Sequence, residues 1–97
     1  MKISWHPVAR KDLEEFDEQV QERLMNQIDV LKEAPLGENA SLLSKQGLEI
    51  FRLKLKNKRL DHRVFFDLDG DTVVILGVEH RDAAYTKESI DKIKSRR

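Results

Sequence analysis

The first third of the chain has the apolar pattern of helices. Apolar residues step by three or four positions from Ala9 to Leu31, which is the stripe of an amphipathic helix, and Pro7 suits its first turn. One continuous helix would be long for so small a domain, and an antiparallel pair buries the stripe better. Asp17 is a suitable N-cap, so we predict two helices that meet there, and the Pro- and Gly-containing segment 34–37 ends the helical region.

The rest of the chain changes to the period of two that is typical of strands. Lys2–Trp5 is predicted to be a short opening strand. Apolar and polar residues alternate over Leu48–Lys56 and again over 63–68. Asp69–Gly70 is a hairpin signal, and it leads into Thr72–Glu79, a nearly continuous apolar run that fits a central strand covered on both faces.

The remaining segments complete the predicted order. Residues 38–47 are interpreted as a loop whose two leucines lie on the core. The chain ends in a short helix over 85–97 whose inner side is Ile90 and Ile93, and so little buried area predicts easy fraying. The order β-α-α-β-β-β-α predicts one α+β domain over 1–97, in which a twisted antiparallel sheet carries a helical pair on one face and a short C-terminal helix.

Composition excludes several kinds of site. The 97 residues include no cysteine, which excludes disulfides, Cys-ligated zinc or iron–sulfur centres and thiol catalysis. The three histidines are scattered, so we expect no metal site and no cofactor. No apolar run approaches the ~20 residues of a membrane helix, and no signal peptide pattern precedes the first helix. We therefore expect a cytoplasmic protein that does not enter a membrane.

The formal net charge of +0 hides an asymmetry along the chain. Residues 1–44 carry 9 acidic and 5 basic residues, whereas 45–97 carry 9 acidic and 13 basic residues. The cations are densest over 52–63, where Asp61 is the one acidic residue. Such an asymmetry predicts that one face meets a polyanion, although a charge run is more often a solvated surface.

Strand alternation predicts where the basic side chains point. If the apolar residues of the 48–56 strand face the helices, then Arg52, Lys54 and Lys56 project together from the opposite face. On the next strand Arg63 falls on that same face, and Phe65 beside it would offer a stacking surface. Like charges directly opposite each other are destabilising, so a phosphate site is the simplest reason for them. The alternative is that long basic side chains fan into water and repel each other little.

The end of the last strand adds groups that can transfer protons or bind phosphate. His80, Arg81 and Tyr85 place an imidazole, a guanidinium and a phenol near the same basin. The alternatives are a surface His80, an Arg81 paired with Asp82 or Glu79, and a Tyr85 that packs the last helix on the sheet.

These segments together resemble the RelE/ParE superfamily, the toxins of type II toxin–antitoxin modules. The resemblance rests on His6–Pro7 with the helical pair, then on Leu48–Leu55, Asp61–Asp67 and Val78–Arg81, and it covers nearly the whole chain. Proteins of the RelE branch are mRNA interferases that enter the ribosomal A site and cut the message. Proteins of the ParE branch instead poison DNA gyrase.

The RelE-like resemblance implies a set of site residues and partners. It implies a metal-independent endoribonuclease in which the RNA 2′-OH attacks the adjacent phosphorus, with the ribosome and mRNA as targets. It also implies a small acidic antitoxin in a hetero-oligomeric complex. The catalytic pattern falls on Arg52, Lys54, Arg63, Arg81 and Tyr85, and the residues expected to bind RNA are Lys56, Lys58, Arg59, Phe65 and His80.

Other interpretations of the resemblance stay open. Some relatives use a Glu/His pair, which here would be Glu49 and His80, although Glu49 has the parity of the core face. The protein could also be a ParE-like gyrase inhibitor without nuclease activity. A third interpretation is an inactive homologue that acts as an antitoxin or DNA-binding partner.

Overall fold

The computed structural model describes residues 1–33, 40–45, 48–54, 62–80, 82, 84 and 86–96. Within these ranges the chain forms five strands and three α-helices. In chain order they are β1 (Lys2–Trp5), α1 (Pro7–Glu14), α2 (Glu18–Asp29), β2 (Ala40–Lys45), β3 (Leu48–Lys54), β4 (His62–Asp69), β5 (Thr72–His80) and α3 (Lys87–Ser95), with a 3-10 turn at Val30–Lys32 after α2.

The strands form one mixed sheet in the order β1-β5-β4-β3-β2. The predicted α+β class is confirmed, with a helical pair and a short C-terminal helix. One difference concerns β1, which pairs parallel with β5 whereas the other neighbouring strands are antiparallel. A parallel pair needs a long crossover connection, and here α1, α2 and three strands lie between β1 and β5.

The prediction of a loop over 38–47 is wrong for residues 40–45. They form β2, which pairs antiparallel with β3 from Ala40↔Leu53 to Lys45↔Leu48. Leu42, expected to lie on the core, is 58% exposed because β2 is the outermost strand and contacts one neighbour only. The sequence of β2 lacks the alternation of period two, so its strand state depends on the ladder with β3.

The predicted break between the two helices is confirmed at Asp17. Its Oδ1 accepts a hydrogen bond from the backbone N–H of Val20 at 3.0 Å, which caps the free N–H groups at the start of α2. At the start of α1, Nδ1 of His6 accepts from the N–H of Val8, and Pro7 stands where its missing N–H costs nothing.

A first apolar core fills the space between the helical pair and the sheet. Val64 and Phe66 of β4 lie in it opposite the stripe of α1 and α2, as the alternation predicts. Among the residues that the structure describes, the buried members of this first core are Ala9, Leu13, Leu24, Ile28, Leu31, Val64, Phe66, Val73, Ile75 and Val78.

A second apolar core lies on the other face of the sheet, under α3. It consists of Phe65, Leu76, Ala84, Ile90 and Ile93, all of which are at most 2% exposed. The face predicted to be open is therefore covered in its middle by α3. The prediction that the β5 run is covered on both faces is confirmed.

A β-bulge in β5 lets α3 come close to the sheet. The β4–β5 register shifts between Phe65 and Phe66, which pair with Gly77 and Ile75 respectively, so Leu76 is the extra residue. A Cβ at Gly77 would overlap the Ile93 side chain, so the missing side chain makes room for α3. The β4–β5 hairpin turns at Gly70, whose φ of +60° is one that glycine adopts without strain.

Candidate nucleic-acid interface

The β3–β4 register brings the three basic strand positions to one side of the sheet. Arg52 pairs with Phe65, and Lys54 pairs directly with Arg63. Residues directly opposite in an antiparallel ladder point to the same face, and Phe65 points to the α3 side. We call Arg52, Lys54 and Arg63 the basic cluster. The register predicted from alternation is confirmed for these positions.

Within the described part of the chain, one hydrogen bond holds the Arg63 guanidinium. Its Nη1 donates to the backbone carbonyl of His62 at 3.1 Å. Its Nε is buried and has no hydrogen-bond partner among the described residues. Arg63 as a residue is half-buried, and a guanidinium is suited to phosphate because it stays charged and can donate two parallel hydrogen bonds.

The expectation that Phe65 offers a stacking surface is wrong for this structure. Phe65 is 0% exposed and lies in the second core against α3. Its cross-strand partner Gly77 has no side chain, so the ring fills space that α3 closes from above. A nucleotide base therefore has no access to this ring while α3 is in place.

His80 also lies away from its predicted place. It pairs with His62 at the end of the β4–β5 ladder, and the two ring centroids are 5.4 Å apart. The His62 ring packs edge-on against Phe16, on the side of the helical pair. His80 is therefore on the opposite face from Arg63, and its Nδ1 accepts a hydrogen bond from the N–H of Asp82.

The histidines are scattered along the sequence, but strand pairing brings the rings of His62 and His80 into contact. Sequence separation does not report on cross-strand neighbours. The described residues hold no group of three or more His, Cys, Asp or Glu side chains arranged for a metal ion. The register sets the two residues of the alternative pair apart, because Glu49 pairs with Ser44 at the far end of β3 and His80 lies at the Arg63 end of the sheet.

Several predicted site residues lie outside the described part of the chain. Two of them are expected to be catalytic, and three are expected to bind RNA. They are Arg81, Tyr85, Lys56, Lys58 and Arg59.

An ion-pair network that the sequence did not predict fixes α3 beside the basic cluster. Asp12 of α1 carries a charge, yet it is only 7% exposed. Its two carboxylate oxygens accept hydrogen bonds from Nη1 and Nη2 of Arg96 at 2.5 and 3.2 Å. Asp12 follows Ala9 by three positions on the buried stripe, and that spacing was the signal for its burial.

The Asp12–Arg96 ion pair covers the part of β5 that β1 does not reach. β1 ends at Trp5, which pairs with Ile75, and no other described strand pairs with that edge of β5 beyond this point. Arg96 donates to the carbonyl of Leu76 at 3.0 Å, and Asp12 accepts from the N–H of Val78 at 3.4 Å. The ion pair thus takes the place of the missing strand neighbour.

Lys92 of α3 extends this network to Glu79 on β5. Its Nζ lies 3.0 Å from Oε1 of Glu79 and 3.7 Å from Oδ1 of Asp12. Burial lowers the pKa of the Lys92 ammonium, but the hydrogen bond and charge of Glu79, together with the charge of Asp12, outweigh it and leave the pKa above its ordinary value. We call Asp12, Glu79, Lys92 and Arg96 the α3 ion-pair network.

Comparison with known proteins decides the family. A family model described as "ParE toxin of type II toxin-antitoxin system, parDE" matches residues 3–85. The chain belongs to this family. It is a toxin of a type II toxin–antitoxin system within the RelE/ParE superfamily, as the resemblance indicated. No curated protein matches the sequence significantly.

Solved structures show the RelE-like fold. The free-state structure of a mutant of the Escherichia coli toxin RelE has a TM-score of 0.71 at 17% identity, covering 98% of this chain and 95% of that chain. The RelBE2 toxin–antitoxin complex from Mycobacterium tuberculosis has 0.69 at 23%, covering 82% and 96%. The RelE–RelB complex from Pyrococcus horikoshii has 0.65 at 21%, covering 82% and 93%. At these identities the likeness concerns the fold. No described helix is long and apolar enough to span a membrane.

Proposed function

We propose that this toxin is a ribosome-dependent mRNA endonuclease that stops translation by cutting the message. The observation that carries the proposal is the register of β3 on β4, which sets Lys54 directly opposite Arg63 with Arg52 on the same side. Like charges at opposite positions of a sheet destabilise it. A bound phosphate offsets that repulsion, so the basic cluster suits a polyanion.

The chemistry needs no metal, because RNA carries its own nucleophile. The 2′-OH attacks the adjacent phosphorus, a new O–P bond forms and the bond to the 5′-oxygen breaks. The enzyme must take the 2′-OH proton, protonate the leaving oxygen and stabilise the extra negative charge. Arg63 and Arg81 suit the last task, because a guanidinium stays charged and binds phosphate bidentately.

The general base in this scheme is Lys54 or Tyr85. Both side chains have an ordinary pKa near ~10, so neighbouring cations must lower it before either accepts a proton at pH 7. The basic cluster and Arg81 supply those cations. Since nothing in the basic cluster aligns a single strand for in-line attack, we expect slow cleavage in free solution and fast cleavage on the ribosome.

The partners follow from the same scheme. An acidic antitoxin neutralises the basic half of the chain, and the toxin and antitoxin form a hetero-oligomer in the cytoplasm, where the ribosomes are. The RelBE complexes among the structural neighbours support this partner class.

The test is cleavage of translated mRNA by purified toxin in a translating extract. We expect Arg63→Ala and Arg81→Ala each to reduce cleavage by about 10²–10³-fold, the loss seen when one donor to a reacting oxyanion is removed. Changes at Arg52 or Lys54 should cost less, because the positive field is shared. The control is Lys87→Ala, which removes an exposed charge of α3 outside the basic cluster.

A second candidate function is inhibition of DNA gyrase, which the match to the ParE family model favours. This function needs no convergent acid–base residues. The same purified proteins are added to a gyrase supercoiling assay in parallel. Full mRNA cleavage by Arg63→Ala, or intact mRNA together with blocked supercoiling, would overturn the nuclease proposal.

A further inference from the structure

Glu79 occupies the place from which a carboxylate would neutralise Arg63. The two residues are directly opposite in the β4–β5 ladder, on the face that α3 covers. Opposite charges at such positions attract each other across the strands. Yet Oε1 of Glu79 accepts a hydrogen bond from Nζ of Lys92, and Arg63 instead donates to the carbonyl of its own neighbour His62.

The burial of the Glu79 carboxylate makes its ion pair with Lys92 important. The Glu79 side chain is 14% exposed, so its carboxylate has little water to bond and needs a cation. Lys92 reaches it from α3 and is itself drawn to that spot by Asp12 at 3.7 Å. Arg96 anchors the same end of α3 through its two bonds to Asp12.

Without Lys92, Arg63 is the cation directly across the ladder from Glu79. The buried Nε of Arg63 has no hydrogen-bond partner among the described residues, so its guanidinium has a donor to offer. A carboxylate bound there would occupy the donors that a phosphate needs and would cancel the charge.

We infer that Lys92 is a positioning residue, which holds Glu79 away from Arg63 and so keeps the Arg63 guanidinium available for the RNA phosphate. The inference rests on the proposed function, because it assigns Arg63 to phosphate binding. It adds a role for α3: the helix covers the second core and also supplies the cation that neutralises the acidic neighbour of the site.

The experiment measures binding of a short 2′-O-methylated RNA, which offers phosphates but no 2′-OH to attack. We expect Lys92→Gln to weaken binding about 10-fold, as for loss of one hydrogen bond to a charged group. The double variant Lys92→Gln/Glu79→Gln, which removes the competing carboxylate as well, should bind within about 3-fold of the wild type. Lys92→Arg keeps the cation and should also bind like the wild type.

Two controls separate this role from a purely structural one. Lys87→Gln removes the same charge from an exposed position of α3, and it should change binding by less than about 2-fold because an exposed surface charge is screened by salt. The side-chain Nε–H resonance of Arg63 should shift in Lys92→Gln and return in the double variant. A helix that merely loosens would not give that return.

Each failure has a distinct pattern. If the double variant binds as weakly as Lys92→Gln, or if Lys92→Arg is as weak, Lys92 acts through its own charge or through the helix and the inference is wrong. If the wild type binds the RNA but leaves translated mRNA intact, the nuclease proposal fails while the role of Lys92 stands. If the wild type does not bind the RNA, both fail.

Discussion

The two faces of the sheet are held by different forces. The face under α1 and α2 is covered by a first core, of which ten buried apolar residues lie in the described part of the chain, and they follow the helical and strand periods. The face under α3 has a second core with five buried residues in that same part, and the α3 ion-pair network completes its attachment. Apolar burial therefore stabilises the first face, whereas the second face depends on an apolar core together with a few polar contacts that single substitutions can break.

The difference places the functional chemistry on the less redundant face. The basic cluster and Glu79 lie on the side of α3, where one helix of nine residues decides what is exposed. Apolar burial is non-directional, whereas ion pairs fix particular atoms in particular places. The α3 face can therefore hold charges in a defined arrangement.

The largest expected effects come from the adjacent rings that point to opposite cores. Phe66→Ala and Phe65→Ala should each lower the free energy of unfolding by about 3–5 kcal/mol, because each deletes a ring that is 0% exposed. Hydrogen exchange should differ between them. Phe65→Ala should release the amides of α3 first, whereas Phe66→Ala should loosen α1, α2 and the sheet together. Identical exchange patterns would contradict the division into two faces.

Asp12→Ala tests the ion pair at the edge of β5. We expect a loss of about 3–5 kcal/mol in the free energy of unfolding, because Arg96 is left as a buried charge without its partner. Urea unfolding measures it, with Glu14→Ala on the exposed side of α1 as the matched control, expected within about 0.5 kcal/mol of the wild type. Removing both partners in Asp12→Leu/Arg96→Met should recover much of the loss. A double variant as unstable as the single one would mean that packing, and not charge, fixes α3.

Gly77→Ala tests the close approach of α3 to the bulge. The added methyl group would overlap the side chain of Ile93 and approach the guanidinium of Arg96, so we expect a loss of about 1–3 kcal/mol. The protection of α3 amides should fall more than that of α2 amides. Equal loss in both helices would show that the bulge does not serve α3 in particular.

The smallest effect is expected at the start of α2. Asp17→Ala removes the side chain that caps the N–H of Val20, and we expect a loss of about 1 kcal/mol. Asp17→Ser keeps an acceptor at the cap and should retain most of the stability. Thermal unfolding of the two variants decides this, and an equal loss in both would exclude capping as the reason for the break between the helices.

Most of this fold can be predicted from the apolar–polar alternation of the sequence and from its helix caps. The helical pair, its break at Asp17, the register of Arg52 and Lys54 on β4, and the doubly covered β5 all follow from local periods. β2 does not, because a strand without alternation is specified by its neighbour. The parallel pairing of β1 is likewise set by a contact between distant parts of the chain.

The candidate site was less accessible to sequence reasoning. Phe65 alternates as an outward residue, and its burial depends on α3, whose two inner isoleucines predicted only a weak contact. Easy fraying of α3 was expected from that small area, but Arg96 at its C-terminal end is buried against Asp12. This ion pair joins residues that are 84 positions apart in the sequence. Neither the apolar period nor the local charge pattern predicts that the two residues meet.

The chemistry of the cut ends in translated mRNA tests the central claim most directly. If the basic cluster holds the scissile phosphate while the 2′-OH attacks, fragments from the wild type should end in 2′,3′-cyclic phosphates and begin with 5′-hydroxyls. Arg63→Ala should remove these ends. Intact mRNA with the wild type, fragments that begin with 5′-phosphates, or the same ends with Arg63→Ala would contradict the account.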